Sequence, residues 1–303
     1  MTKLVAKNKT DARTPTPTRA NLPEILSPTV DVIFKILFGD ERNKDILADF
    51  LTAVLGFNVK PDDITLLDPH LARDWADDKL GILDVKLKLA SGKFINIEMQ
   101  VEKLKDMRNR IEYYISNMMA RQMEKKDEYE VLLPVVAIIV SKRTMLKETT
   151  RFHCEFGTLE KTEHFELHGL RAIHTLELSK LPNNVSGRLE DWLKFINSEK
   201  KEEYMALAQK NTLMRKALGV LQRASADPRT RDDYFYSVMA IADQKARAGG
   251  WIDEAEAKGL AKGRLEGATS KALEVARKMK AEGIDVRAIA RMTDLSPEEI
   301  LTL

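Results

Sequence analysis

Cysteine is almost absent from this chain: its 303 residues contain one, Cys154. A lone cysteine excludes an internal disulfide and any zinc site built on several thiolates, and it fits a reducing cytoplasm. Long apolar runs are missing too. The strongest, Leu132 to Val140, is of strand length and carries Pro134. That is far short of the ~20 apolar residues that cross a bilayer, so no membrane span is expected. The N-terminus has lysines but no apolar stretch behind them, which argues against a secretory signal. Nor is there an excess of one charge. The 49 basic and 47 acidic residues give no global field that would announce a nucleic-acid binder, although a basic surface can still form locally. What is present is a 44% hydrophobic fraction, enough for at least one substantial core. A soluble, cytoplasmic protein is the expectation.

Residues 1–25 are polar, basic and dotted with proline, and they read as a disordered tail. Ser27-Pro28 has the form of an N-cap followed by proline at the first helical position. It predicts a helix over Thr29–Phe38, stopped by Gly39, and a second helix follows over Asn43–Leu55. A short strand is expected at Ile64–Leu67, an amphipathic helix from Met107 to Lys126, and a fully buried strand at Val135–Val140. Between Phe152 and Leu178 the pattern is of short alternating strands, such as His164–His168 and Ala172–Leu176. From Pro182 onward it is helical, through Glu190–Ile196, Lys200–Arg223 and Arg231–Arg247. Gly259, Gly263 and Gly267 then recur every four residues in an Ala/Lys/Glu-rich helix. Such small residues allow close helix–helix approach and hence a homo-oligomer. Ser270–Leu303 reads as three short helices, broken at Gly283 and reopened by Ser296-Pro297-Glu298-Glu299. They imitate a helix-turn-helix. The last is short and begins with two glutamates that a phosphate backbone repels, which favours a partner or capping role.

The chemistry concentrates in two neighbouring strands, Ile82–Leu89 and Phe94–Val101, joined through Ala90-Ser91-Gly92. Strand side chains alternate faces, so Val85 and Leu87 share an apolar face that matches Ile97 and Ile95. Gly92 falls where a three-residue turn wants a positive φ. The same register sets Asp84 opposite Glu98, with Lys86 and Gln100 on the same face. Like charges directly opposite are destabilising, and a hard divalent cation between two carboxylates resolves the conflict. The plainer reading is an exposed polar sheet face, where such residues are ordinary. Asp31 and Lys35, four apart on the first helix, also have the spacing of a surface ion pair. Four of the five histidines (His153, His164, His168, His174) lie near Cys154, but their spacing fits no short zinc motif. They read as polar sites on exposed strands.

The order of these pieces is itself informative. Asp31-Val-Ile-Phe34-Lys35-Ile-Leu-Phe38, Ile82-Leu83-Asp84-Val85, Ile95-Asn96-Ile97-Glu98-Met99-Gln100 and Arg110-Ile-Glu-Tyr113-Tyr114 follow one another, with Gln122 and Tyr129 beyond. Together with the glycine-repeat helix and the terminal module, they resemble the recombination-promoting nuclease (Rpn) family, also described as a PD-(D/E)XK nuclease family transposase. The resemblance implies an α/β fold: a restriction-endonuclease-like mixed β-sheet flanked by helices, followed by an all-helical C-terminal tail. It divides the chain into a nuclease domain over 26–200, a helical extension over 201–248, and the glycine-repeat helix with its helical module over 249–303. It implies a Mg²⁺- or Mn²⁺-dependent DNA endonuclease of low sequence specificity, working in recombination or on mobile or foreign DNA. Asp84 and Glu98 match the family's metal-holding carboxylates, and Gln100 stands where the generic superfamily has lysine. Lys86 is then a stand-in for that cation, and Asp31 matches the acidic residue of the first helix. Arg110, Tyr114 and Gln122 become candidate contacts to DNA. The alternative is a catalytically silent protein that keeps the fold for DNA binding or assembly.

Overall fold

The structure, a computed structural model, describes residues 18–67, 85–101, 106–184 and 187–303. Residues up to Ala242 form one compact unit and Asp243–Leu303 a second. Most of the expected tail lies outside the described residues. Its last part does not behave as a tail: Arg19–Asn21 forms a helical turn, Arg19 pairs with Asp232 at 3.2 Å, and Ile25 is buried.

A six-stranded mixed sheet organises the first unit, in the order β1-β2-β3-β4-β6-β5. Its strands are β1 (Ile64–Leu66), β2 (Val85–Leu89), β3 (Phe94–Gln100), β4 (Val135–Ser141), β5 (His153–Leu159) and β6 (Glu166–Glu177). β4 runs parallel to both β3 and β6, and the other pairings are antiparallel. The hairpin register is the one expected from its apolar rows, with Val85 opposite Ile97 and Leu87 opposite Ile95. Gly92 turns it at a φ of 91°. β6 corrects one expectation: the short strands anticipated at His164–His168 and Ala172–Leu176 are replaced by a single strand of 12 residues, paired along β4 and β5.

Alternation along the central strands gives the sheet two different faces. Val85, Leu87, Ile95, Ile97, Val136, Ile138 and Val140 belong to the larger core, with α1 (Asp31–Phe38) and α2 (Lys44–Leu55). Three more helices share it: α4 (Arg188–Asn197), α5 (Lys201–Ala208) and α6 (Thr212–Ala226). Val135, Ala137, Ile139 and Ile173 face the other way, against Met107, Ile111, Ile115 and Met118 of α3 (Met107–Ala120).

Several boundaries differ from the sequence expectation for local reasons. α1 starts at Asp31, because Ser27 closes a turn instead, accepting the N–H of Val30 on its carbonyl oxygen at 3.2 Å. Gly39 ends α1 as expected, its N–H donating to Lys35 at 2.7 Å. α3 stops at Ala120, short of Lys126, where Gln122 is drawn to the backbone of Leu133. The long helix expected over Lys200–Arg223 is two, α5 and α6, because the Asn211 side chain accepts the Met214 N–H at 2.7 Å and caps a new start.

The largest revision is α7, one helix of 54 residues from Pro228 to Ala281. It passes through Gly249, Gly250, Gly259, Gly263 and Gly267 without interruption. Each glycine weakens a helix by about 1 kcal/mol relative to alanine, but the Ala, Glu, Lys and Leu around them are strong formers. A methyl group added at Gly263 or Gly267 meets nothing within 4 Å, so packing within the described chain does not demand glycine there. Beyond Gly283, whose φ of 78° ends the helix, α8 (Val286–Thr293) and α9 (Pro297–Leu301) close a small core of Ala276, Ile289, Leu295 and Ile300. Ser296 and Glu299 form the expected capping box. No helix among the described residues is long and apolar enough to cross a membrane.

His174 is buried rather than exposed, and its Nδ1 shares a hydrogen bond of 3.1 Å with Nε2 of His153. Burial pushes the pKa of both imidazoles below the ordinary value of about 6.5, against the pull of Glu155 on both and of Glu190 on His153. Arg151 beside His153 and Lys93 beside His174 reinforce the depression. The fold therefore holds them neutral, while the unfolded chain takes up protons first on acidification. The stability they confer is complete above about pH 6.5 and is lost as pH falls through the depressed values. Thermal midpoints between pH 7 and pH 5 should fall less steeply for His153→Asn than for the parent. Equal slopes would show that the pair does not sense pH.

Candidate active site

Every residue of β3 from Ile95 to Met99 is buried, so its second face is no ordinary exposed polar face. That face carries Asn96, 1% exposed, then Glu98, 7% exposed, and then half-buried Gln100 at the strand end. Lys86 on β2 lies directly opposite Asn96. A central strand that buries an amide and a carboxylate among β-branched neighbours is unusual, because buried polar groups need partners.

α3 supplies much of what covers them. Beside its apolar row it carries Arg110, Tyr114, Asn117 and, just past its end, Arg121, spaced so that they share one side of the helix. Arg110 Nη2 lies 3.6 Å from Glu98 Oε1, and the guanidinium donates to the buried Tyr114 hydroxyl at 2.6 and 3.1 Å. Burial opposes the Arg110 charge. The Tyr114 hydrogen bond and the Glu98 carboxylate outweigh it and raise the pKa further. Arg121 donates to Asn117 Oδ1 at 2.6 Å. Its charge joins burial in lowering the pKa of Lys86 to about 8, with burial the larger cause. A polar seam thus lies between helix and sheet, with a carboxylate–guanidinium pair at Glu98 and, at Lys86, an ammonium whose pKa burial lowers to about 8.

Of the residues singled out in the sequence, Glu98, Gln100 and Lys86 come together on this face, and Arg110 and Tyr114 join them from α3. Asp84 lies outside the described residues. Asp31 is exposed at the start of α1, on the helix layer of the other sheet face, where its Oδ1 accepts the Val32 N–H at 2.8 Å. Gln122 spends its amide on the backbone, donating to the Leu133 carbonyl at 3.1 Å and accepting its N–H at 2.8 Å. Tyr113 is exposed. Asn96 went unremarked in the sequence. Its signal was there: it sits two residues before Glu98, hence on the same face, in a strand otherwise apolar where it is buried.

Among the described residues, no group of three His, Cys, Asp or Glu side chains is placed to hold a metal ion. A metal centre here would have to add to Glu98 either Asp84 or the amides of Asn96 and Gln100. The donor set fits a hard divalent cation: a buried carboxylate flanked by amide oxygens, with no thiolate or imidazole. Asn96 strengthens the fit, since neither its Oδ1 nor its Nδ2 has a hydrogen-bond partner among the described residues.

A family model described as PD-(D/E)XK nuclease family transposase matches residues 28–249. A second, described as the C-terminal HTH domain of the Rpn/YhgA-like nuclease family, matches residues 269–303, which include α8 and α9. No curated protein and no solved structure matches the chain.

Proposed function

The chain belongs to the PD-(D/E)XK nuclease family, in its Rpn/YhgA-like branch, and from that premise we propose that it is a divalent-metal-dependent DNA endonuclease of low sequence specificity. The observation that carries this reading is the buried Glu98 carboxylate, aligned with Gln100 and Lys86 on one face of the hairpin inside the family-matching segment.

Glu98 and Asp84, the residue next in sequence to Val85, would hold Mg²⁺ or Mn²⁺. When bound, the ion supplies a Lewis acid that favours water as a nucleophile and offsets charge on the phosphate oxygens. Arg110 pairs with the Glu98 carboxylate from the α3 side. Gln100, on the same face, offers an amide to orient a water or a phosphate oxygen, but it brings no charge. Lys86 fills that gap. With its pKa near 8, it is poised to pass a proton near neutral pH and, when charged, to neutralise a phosphate. The C-terminal module, matched as an HTH domain, would add a second contact to DNA through surfaces other than the Glu298–Glu299 start of α9, in place of the partner or capping role expected from those glutamates, and the biological setting is recombination or the processing of mobile or foreign DNA.

Incubation of the purified protein with plasmid DNA and Mg²⁺ or Mn²⁺ tests the reading. Cleavage that disappears in Asp84→Ala supports it, whereas persistent cleavage in that variant, or none in the parent, overturns it. Absence of cleavage with retained DNA binding would favour the catalytically silent reading, to which the missing motif lysine at Gln100 points. Lys86→Ala should slow metal-dependent cleavage by about 10². An unchanged rate removes Lys86 from the mechanism.

A further inference from the structure

Asn96 is the most exceptional polar residue of the described chain. Its side chain is sealed from solvent, yet both its oxygen and its nitrogen lack a hydrogen-bond partner among the described residues. The large majority of buried side-chain polar atoms have a hydrogen-bond partner, and exceptions are explained by a water, an ion or a functional role. An amide left unpaired on both atoms destabilises a fold, and an apolar residue of similar volume would serve a β-sheet interior better. Its position gives the reason for its presence. Asn96 lies two residues before Glu98 on the same strand face and directly across from Lys86. It is on the inner side of the seam that Arg110, Tyr114 and Asn117 face from α3. By contrast, Thr175, a buried hydroxyl also without a partner among the described residues, lies on β6, beyond β4 from that group.

We propose that Asn96 is a ligand of the divalent-cation site, its Oδ1 acting as an oxygen donor beside the Glu98 carboxylate and its Nδ2 remaining as a donor for a phosphate oxygen. Carbonyl oxygens of Asn are ordinary ligands for hard cations. The amide brings an oxygen donor without burying a further charge beside Glu98. The inference rests on the metal-dependent reading above and extends the site by a residue outside the carboxylate pair.

The parent is compared with Asn96→Leu, which removes both polar atoms at similar volume, and with Asn96→Asp, which keeps an oxygen donor. Thermal midpoints in EDTA and Mn²⁺ affinity by calorimetry are the readouts, with Glu98→Gln as the control for the site itself. Asn96→Leu should raise the EDTA midpoint, since the unpaired amide is gone, and weaken Mn²⁺ binding by about tenfold or more. Asn96→Asp should lower the EDTA midpoint and retain Mn²⁺ affinity at or above the parent's. A structural Asn96 held by ordered water would instead give a lower EDTA midpoint in Asn96→Leu with Mn²⁺ affinity unchanged, and that result overturns the proposal. If Asn96→Leu does not fold, loss of Mn²⁺ affinity in a well-folded Asn96→Asp is equally fatal to it. Parent-like Mn²⁺ binding in Asn96→Leu, alongside its loss in Glu98→Gln, removes Asn96 alone and leaves the metal-dependent nuclease standing. A parent that neither binds Mn²⁺ nor cuts DNA removes both.

Discussion

Glu98→Gln is expected to lower metal-dependent DNA cleavage by at least about 10³, or roughly 4 kcal/mol of transition-state stabilisation, while leaving the protein folded. Glutamine keeps the volume of the side chain and therefore the packing of β3 between β2 and β4. What it removes is the negative charge. With the charge goes most of the affinity for a hard cation, and with the cation goes the stabilisation of charge building on the phosphate. Two effects on stability oppose each other. Arg110 loses the carboxylate 3.6 Å away, but it keeps the Tyr114 hydroxyl and is itself only half-buried. The sheet no longer has to bury an anion, which offsets that loss. The urea midpoint should accordingly change little. Cleavage within tenfold of the parent in a folded Glu98→Gln would show that the carboxylate is a structural partner of Arg110 and not part of the chemistry. The comparison with Lys86→Ala separates two roles: a proton-transfer or charge defect at Lys86 leaves Mn²⁺ affinity intact, whereas the Glu98 defect does not.

What the sequence disclosed and what it hid divide along a physical line. Features set by short-range geometry were legible. Gly92 at the hairpin turn, Gly39 and Gly283 as helix stops, and the Ser296–Glu299 capping box depend on a few neighbouring dihedrals, and the hairpin register follows from matching two apolar rows. Features set by burial of polar atoms were not. Asn96, Glu98 and His174 look like solvent-facing residues in any strand pattern. They are buried because α3 closes one face of the sheet and β5 pairs along β6, partners that become neighbours only in three dimensions. The polar row Arg110–Tyr114–Asn117–Arg121 is readable as a helix side once its apolar counterpart, Met107–Ile111–Ile115–Met118, is known to face the sheet. α7 illustrates a different limit. The glycine-repeat segment was expected to be helical but separate from the stretch ending at Arg247, yet the pair Gly249-Gly250 only weakens a helix whose other residues favour it, and the two are one. For the candidate site, the alternation in β3 was enough to gather Glu98 and Gln100. It was not enough to reveal Asn96, which contributes through burial rather than through any motif.

The largest effect on stability is expected far from the hairpin, at Asp49. Asp49→Ala should destabilise the fold by about 3 kcal/mol or more in urea unfolding. The carboxylate is 7% exposed on α2. It accepts the indole N–H of Trp192 at 2.7 Å and two donors from Arg188, Nε at 3.0 Å and the closer Nη2. Trp192 has no exposed surface and meets the rings of Phe38, Phe50 and Phe195 edge-on, at centroid separations of 6.0, 6.3 and 5.8 Å. One acid therefore ties α2 to α4 through the largest side chain of the core. Removing it leaves a buried indole donor unsatisfied and opens a space beside a packed aromatic cluster, two penalties that act at once. Asp49→Asn should be milder, because the amide oxygen still accepts from Trp192 and the partly exposed Arg188 can turn to water. Trp192→Phe deletes the donor, so Asp49→Ala made in that background should add less than it does alone. A loss under about 1 kcal/mol in the single variant, or full additivity in the double, would show that packing alone holds Trp192 and that the buried acid is incidental. A coupled loss would mean that the helical layer bracing the back of the hairpin depends on a single carboxylate. Such a dependence also predicts that the nuclease core unfolds as one cooperative unit when that carboxylate is removed.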